Sequence, residues 1–196
     1  MTVPPFLIGD HVVLRALAEE DCSGPYLNWF NDAEVCRHNS HHLFPYRYED
    51  ALSYVRKIRD SPLDLVLAIV EKIDNRHVGN VALQNIDYVN RSSEFAIVIG
   101  EKDCWGKGYS KEAGRLMLDH AFLSLNLYRV YCGTSRENVP MQRLALFLGM
   151  KKEGCRRQAL FKQNRRCDVL DYGVLEPEYT RLFHAPARKR KVGSAR

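Results

Sequence analysis

The sequence predicts a mixed α/β domain of the α+β kind, one sheet with helices inserted between its strands. Three observations predict it. In residues 94–99, Phe95, Ile97 and Ile99 alternate with Glu94, Ala96 and Val98, the period of a strand with two faces. Directly after it Gly106 and Gly108 flank Lys107, and Ala113, Leu116, Met117 and Ala121 then recur at helical spacing. Around this unit, apolar runs and amphipathic stretches follow the order strand, two helices, three strands, helix, strand, helix, two strands, with no repeat or linker dividing them. The chain has 196 residues, 45% of them hydrophobic, enough for one buried core.

Taken in order, Leu7–His11 leads into a first strand over Val12–Leu17. Glu19 to Asp21 open a turn, and Pro25 starts a short helix carrying Tyr26, Leu27, Trp29 and Phe30. Residues 37–48 form a loop rich in His, Tyr and Arg. Glu49–Asp60 is the next helix, with Leu52, Val55 and Ile58 as its apolar stripe and Pro62 beyond its end. Strands over Leu65–Glu71 and Val78–Asn85 flank the turn pair Asp74 and Asn75. After the central strand and its helix, Tyr128–Thr134 reads as a strand and Pro140–Leu148 as a short helix closed by Gly149. Lys152–Leu160 and Cys167–Leu175 form a hairpin about Gln163, Asn164 and Arg165.

The net charge of +5 has a single source. Residues 185–196 hold Arg188, Lys189, Arg190, Lys191 and Arg196 and no acid; the other 24 basic residues balance the 24 acidic ones. The reading is therefore a neutral domain over 1–184 and a basic tail over 185–196, which lacks apolar periodicity and reads as disordered. Such a tail is a solvated terminus, with contact to nucleic acid or an anionic membrane as the alternative; neither is expected as a partner. No run of 18 apolar residues and no basic-then-apolar leader is present, so neither a membrane span nor a secretory signal is expected. Cys22, Cys36, Cys104, Cys132, Cys155 and Cys167 lack CxxC spacing and read as free thiols in a reducing, cytoplasmic setting. His38, His41 and His42 have no carboxylate or Cys at convincing metal-ligand spacing, so no metal is expected.

A glycine turn that opens a helix leaves N–H groups unpaired at the positive end of the dipole, which suits a phosphate or pyrophosphate. It is also the form of an ordinary tight turn. The nucleotide P-loop does not fit, because Gly100 and Gly106 enclose five residues instead of four and Gly108 follows Lys107. The dinucleotide fingerprint fails at Lys111, where it wants a third Gly. What remains resembles the pyrophosphate loop of the GNAT superfamily of acetyl-CoA-dependent N-acetyltransferases, Gln/Arg-x-x-Gly-x-Gly/Ala, with Asp103 standing where Gln or Arg is usual. The flanking sequence agrees. Trp29, Asn31, Asp32, Glu34 and Val35 resemble the W-x-N-D-x-E-V stretch of the Rim-type (RimJ/RimL-like) branch. Asn138, Met141, Arg143 and Leu144, followed by Leu148-Gly149-Met150 and Glu153-Gly154, are similar to the family's N-x-x-A-x-R-L and L-G-F-x-x-E-G. Asp168 and Tyr172-Gly173-Val174-Leu175 resemble the ending of the same branch.

The resemblance, which covers Val12 to about Tyr179, implies a central, mostly antiparallel mixed sheet of about seven strands with a V-shaped splay, flanked by about four helices. It implies acetyl-CoA as cosubstrate, with the pantetheine arm along Ile97, Val98 and Ile99, a backbone N–H near Val98 on the thioester carbonyl, and the pyrophosphate on Gly106, Lys107, Gly108, Tyr109 and Ser110. Lys107 adds charge there or points to solvent. Asn138 binds the arm or caps the helix ahead of Pro140. The family's frequent general acid, a Tyr seven residues after that Asn, is Ala145 here, which leaves thiolate protonation unassigned. Glu94 is the candidate base, against the alternative of a strand-end surface charge. Arg37, His38 and Tyr46 are acceptor-side candidates, and with Arg47 and Tyr48 they lean towards an aminosugar nucleotide or other small amine. A protein N-terminus is the alternative acceptor, and a non-catalytic acyl-CoA-binding module the alternative class. Monomer and homodimer are both compatible with the sequence.

Overall fold

The computed structural model describes residues 3–185, so the basic tail read at 185–196 lies, apart from Ala185, outside the described residues. Eight strands form one open sheet: β1 (Pro5–Ile8), β2 (Val12–Ala16), β3 (Leu65–Glu71), β4 (Arg76–Asp87), β5 (Ser92–Ile99), β6 (Arg129–Ser135), β7 (Lys151–Lys162) and β8 (Arg165–Leu175). Their order is β1-β2-β3-β4-β5-β6-β8-β7, and every neighbouring pair is antiparallel except β5 with β6. The helices are α1 (Pro25–Trp29), α2 (Tyr48–Arg59), α3 (Tyr109–Asp119), α4 (Val139–Phe147) and α5 (Glu176–Phe183).

The expected mostly antiparallel mixed sheet is present, with one strand and one helix more than anticipated. The extra strand arises because the lead-in at Leu7 folds back: the Gly9 amide donates to the Val12 carbonyl at 2.9 Å, and β1 pairs with β2 as a hairpin. The extra helix is α5, whose signals are Pro177 in the first turn with Glu176 and Glu178 beside it. It is short, and one aromatic fixes it: Tyr179 is fully buried and its hydroxyl donates to Asp119 at 2.8 Å. Tight connections fall where the turn chemistry asks. Asn75 takes a φ of 54°, and Gln163 and Asn164 take 49° and 58° between β7 and β8.

Alternation along the strands sends side chains to two separate cores. On one face Leu14, Ile69, Val81, Leu83, Phe95 and Val130 meet Met117 and Leu118 of α3 and Leu144 of α4. On the other, Val66, Ala68, Val70 and Ala82 meet Tyr26, Trp29 and Phe30 around α1 and Ala51 and Val55 of α2. Burying a side chain the size of Met117 or Leu118 contributes about 1.5–3 kcal/mol each, so α3 is held hard against the sheet. That fixes its first turn at Tyr109, which nine residues (100–108) separate from the end of β5.

Candidate active site

β5 and β6 pair over three rungs only: Ser92 with Arg129, Ser93 with Val130, and Glu94 with Tyr131. Beyond Glu94 the strands part. β6 turns its edge to β8 through Ser135, while Phe95–Ile99 of β5 stays paired to β4 alone. One edge of β5 therefore presents backbone N–H and C=O groups that no neighbouring strand uses. Ile97, Val98 and Ile99 lie along this slit and are half-buried. Glu94 and Tyr131 stand together at its closed end.

The turn at the end of β5 opens α3. Gly106 and Gly108 have φ of 79° and 90°, a left-handed conformation that a side chain resists, and no atom lies within 4 Å of where a Cβ would be on either residue. The Lys107 amide donates to the Cys104 carbonyl at 3.4 Å, and those of Lys111 and Glu112 close onto Gly108. The amides of Gly106, Gly108, Tyr109 and Ser110 have no hydrogen-bond partner among the described residues. Four free donors, an open approach and a helix N-terminus fit the diphosphate of a coenzyme A thioester. Lys107 is exposed, 3.9 Å from Asp103 and over the Tyr109 ring at 6.0 Å.

The turn is braced by residues that the sequence did not announce. Arg76, the first residue of β4, reaches Asp103 at 2.6 Å, Glu71 at 2.7 Å and Glu101 at 3.4 Å. Glu71 is only 2% exposed and also accepts the Tyr109 hydroxyl at 3.1 Å, so one buried carboxylate ties Arg76 to the first residue of α3. The Arg76 guanidinium holds the Asp103 carboxyl below its ordinary range. At the motif position usually held by Gln or Arg stands Asp103, and the cation beside it is Arg76 of β4.

The W-x-N-D-x-E-V stretch is a staple. Trp29 lies so close to Gly100 that a Cβ there would fall 1.9 Å from its ring, and its indole N–H donates to Glu101 at 2.7 Å. Asp32 and Glu34 hold Lys102 at 2.8 and 2.7 Å. Asn31 accepts from the Tyr46 amide at 2.8 Å and donates to the Tyr46 carbonyl at 2.7 Å. The same few residues thus fasten the 37–47 loop to the link between β5 and α3.

Asn138 caps α4: its Oδ1 accepts from the Met141 amide at 3.3 Å, and its Nδ2 donates to Thr134 at 3.1 Å. Both ends of the side chain are therefore in use. Ala145 is fully buried in the core under α4. Tyr46 packs its ring against Tyr26 and Phe30, with centroids 6.4 and 5.0 Å apart, and burial pushes its phenol up. Arg47 pairs with Asp50 at 3.1 Å. Of the acceptor-side candidates, Arg37, His38 and Tyr48 make no hydrogen bond or ion pair from their side chains among the described residues.

Around Glu94 the structure gathers groups from distant segments. Arg156 of β7 pairs with Asp171 of β8 at 2.9 Å, and the Glu94 charge reaches both Arg156 and Cys132. Burial, helped by the Glu94 and Asp171 carboxylates, pushes the Cys132 thiol up to about 12. The tip of the β7–β8 hairpin touches the loop: Lys162 donates to the carbonyls of Asn39 and His41, each at 2.8 Å, and Arg165 reaches Glu137 at 2.7 Å. Burial lowers His41 and His38, with Lys162 adding to the first and Arg37 to the second. Tyr131, Arg156 and Asp171 were invisible as a group in the sequence, because only the register of β5, β6 and β8 brings them to one place.

Comparison with known proteins agrees with this architecture. The family model described as "Acetyltransferase (GNAT) domain" matches residues 11–151. An "Uncharacterized N-acetyltransferase p20" of Bacillus licheniformis is 28% identical over 177 residues, covering 88% of this chain and 97% of that protein. A spermidine N(1)-acetyltransferase of Escherichia coli K12 is 27% identical over 178 residues, 90% of this chain and 92% of the relative. Among solved structures, spermidine N-acetyltransferase from Vibrio cholerae in complex with CoA and spermine superposes with a TM-score of 0.79 at 25% identity, over 87% of this chain and 99% of that one. The chain belongs to the GNAT acetyltransferase family and is an acetyl-CoA-dependent N-acetyltransferase by that membership. No helix among the described residues is long and apolar enough to cross a membrane.

Proposed function

We propose that this chain moves the acetyl group of acetyl-CoA directly to the primary amine of a small molecule, with the slit beside β5 as the place of transfer. The supporting observation is the slit itself, closed at one end by Glu94 and Tyr131 and leading at the other to the free amides of the Gly106–Ser110 turn. In this reading the turn holds the diphosphate and the open edge of β5, over Ile97, Val98 and Ile99, aligns the pantetheine arm. A backbone N–H near Val98 polarises the thioester carbonyl. The amine nitrogen attacks that carbon, the C–N bond forms as the C–S bond breaks, and Glu94 takes the amine proton directly or through one water. The CoA thiol is acidic enough that its thiolate can leave unprotonated, without a tyrosine at Ala145. Tyr131 is the strand partner of Glu94 at this end of the slit.

The finer assignments belong to the same proposal. The Rim-type branch rests on the staple of Trp29–Val35 and the Asp168–Leu175 ending. An aminosugar-nucleotide acceptor keeps Arg37 as its support, since Tyr46 and Arg47 are engaged elsewhere.

Gly108→Val tests the donor half. Valine disfavours a φ of 90°, and its methyl groups would stand where the diphosphate approaches. The dissociation constant for acetyl-CoA, by calorimetry on a folded variant, is expected to rise about 100-fold, or about 2.7 kcal/mol. Unchanged affinity would move the diphosphate away from this turn.

A further inference from the structure

β3 is apolar from Leu65 to Val70 and ends on a buried carboxylate, Glu71. A buried carboxylate is costly unless it is paired, and a well-packed apolar residue in place of a buried ion pair is often no less stable. The β3–β4 hairpin is set by its ladder and by the left-handed Asn75, neither of which calls for a charge at this position. Glu71 divides its two oxygens between two elements. Oε1 accepts from the Arg76 guanidinium at 2.7 Å, and Oε2 accepts from the Tyr109 hydroxyl at 3.1 Å, with the Cys104 thiol 3.9 Å away. Arg76 then continues to Asp103 at 2.6 Å, ahead of the glycine turn.

These bonds converge on the start of α3. Its N-cap is Gly108, which has no side chain to cap the first turn. A Ser or Asp there would take one of the free amides for itself and compete with a ligand anion. Glycine leaves the amides open and leaves the turn without a local anchor. Glu112, further along the helix, fastens α3 to the start of β2 through the His11 and Val12 amides, at 2.8 and 3.2 Å. Ahead of it, within residues 106–110, Tyr109 alone makes a side-chain hydrogen bond among the described residues, and its partner is Glu71. We propose that Glu71 is a positioning residue for the coenzyme: through the Tyr109 hydroxyl it holds the first turn of α3 so that the amides of Gly108, Tyr109 and Ser110 meet one diphosphate. This deepens the proposed function and rests on its placing of the diphosphate at the turn.

The test is the affinity of the full chain for two probes, acetyl-CoA by calorimetry and S-acetyl-pantetheine by its competition with acetyl-CoA. The second probe carries the arm without the diphosphate. Glu71→Gln removes the charge, whereas Tyr109→Phe removes only the hydroxyl and keeps both the ring and the Glu71–Arg76 pair. Each variant is expected to raise the dissociation constant of acetyl-CoA about fivefold or more and to leave that of S-acetyl-pantetheine within about twofold. The double variant should fall within about twofold of the weaker single one, because both changes remove the same bond. If Glu71→Gln does not fold, Tyr109→Phe decides alone. Unchanged acetyl-CoA affinity in Tyr109→Phe, an equal loss for both probes, or losses that add fully in the double variant would overturn the inference. The reading of the turn still stands in those cases if Gly108→Val weakens acetyl-CoA. Unchanged affinity in Gly108→Val as well would overturn the two together.

Discussion

The glycine turn at residues 106–110 and the rim formed by the 37–47 loop and the β7–β8 hairpin, the proposed donor and acceptor sides, are built by different means. At the turn the working groups are backbone amides, set by two glycines of positive φ and by a helix packed on the sheet. Its braces are short and partly buried: Glu71 under Tyr109, and Arg76 against Asp103. The rim has almost no backbone logic. It is made of long side chains that cross between segments far apart in sequence, such as Lys162 to Asn39 and Arg165 to Glu137. A backbone site tolerates change in most of its side chains and little at its glycines. A side-chain site can be rewritten one residue at a time, so two chains with the same turn can accept different amines.

Three changes would break or sharpen that contrast. The largest effect is expected at the closed end of the slit. General-base contributions are about 100- to 10,000-fold in rate, so Glu94→Gln should lower kcat by that order near neutral pH, leave the acetyl-CoA dissociation constant unchanged, and regain part of its rate at high pH, where free amine is plentiful. Wild-type turnover across the pH range would make Glu94 a strand-end charge and move the base elsewhere.

A smaller effect separates brace from ligand at the turn. Asp103→Arg installs the residue type the family motif usually has, yet it is expected to weaken acetyl-CoA binding by about threefold to tenfold, because the new cation would face Arg76, which Asp103 now holds at 2.6 Å. Tighter binding by calorimetry would show that Arg76 does not replace the motif cation.

The mildest test is pH. His38 and His41 of the acceptor loop have folded values lowered by burial, so the unfolded chain takes up protons first as pH falls. Their contribution to stability is complete above the unfolded value near 6.5 and is lost as pH drops towards the folded ones. Hydrogen exchange of residues 37–47 should therefore accelerate between pH 7 and 5, after correction for intrinsic rates. Residues 104–110 should not respond, since they contain no His and the Asp103 carboxyl, held down by Arg76, stays ionised there. Equal acceleration in both segments would deny the contrast.

The same difference decides what the sequence reveals. The turn could be read because its requirements are local: Gly106, Gly108 and the stripe from Ala113 are neighbours in the chain, and only certain residues take those backbone angles. Strands β3 to β8 and helices α2 to α4 were legible for similar reasons, to within a few residues at their ends. β1 and α5 were missed because a four-residue strand and an eight-residue helix are held by Gly9 folding back and by Tyr179 finding Asp119, which are facts of packing. In the loop, Tyr46 looked free because sequence gives no hint that Asn31 and Phe30 will claim it. Arg156 and Asp171 become interesting only once β8 lies between β6 and β7.

The early parting of β5 and β6 has a further consequence. Sheets expose strand edges at their two ends and guard them there; this one carries an edge in its middle, between two half-sheets joined by three rungs. Whatever lies along that edge completes the sheet, and its binding energy counts as folding energy. Under the proposed mode, acetyl-CoA at 100 times its dissociation constant would add about 2.7 kcal/mol to the unfolding free energy. The melting temperature of this domain would then follow the supply of its own substrate.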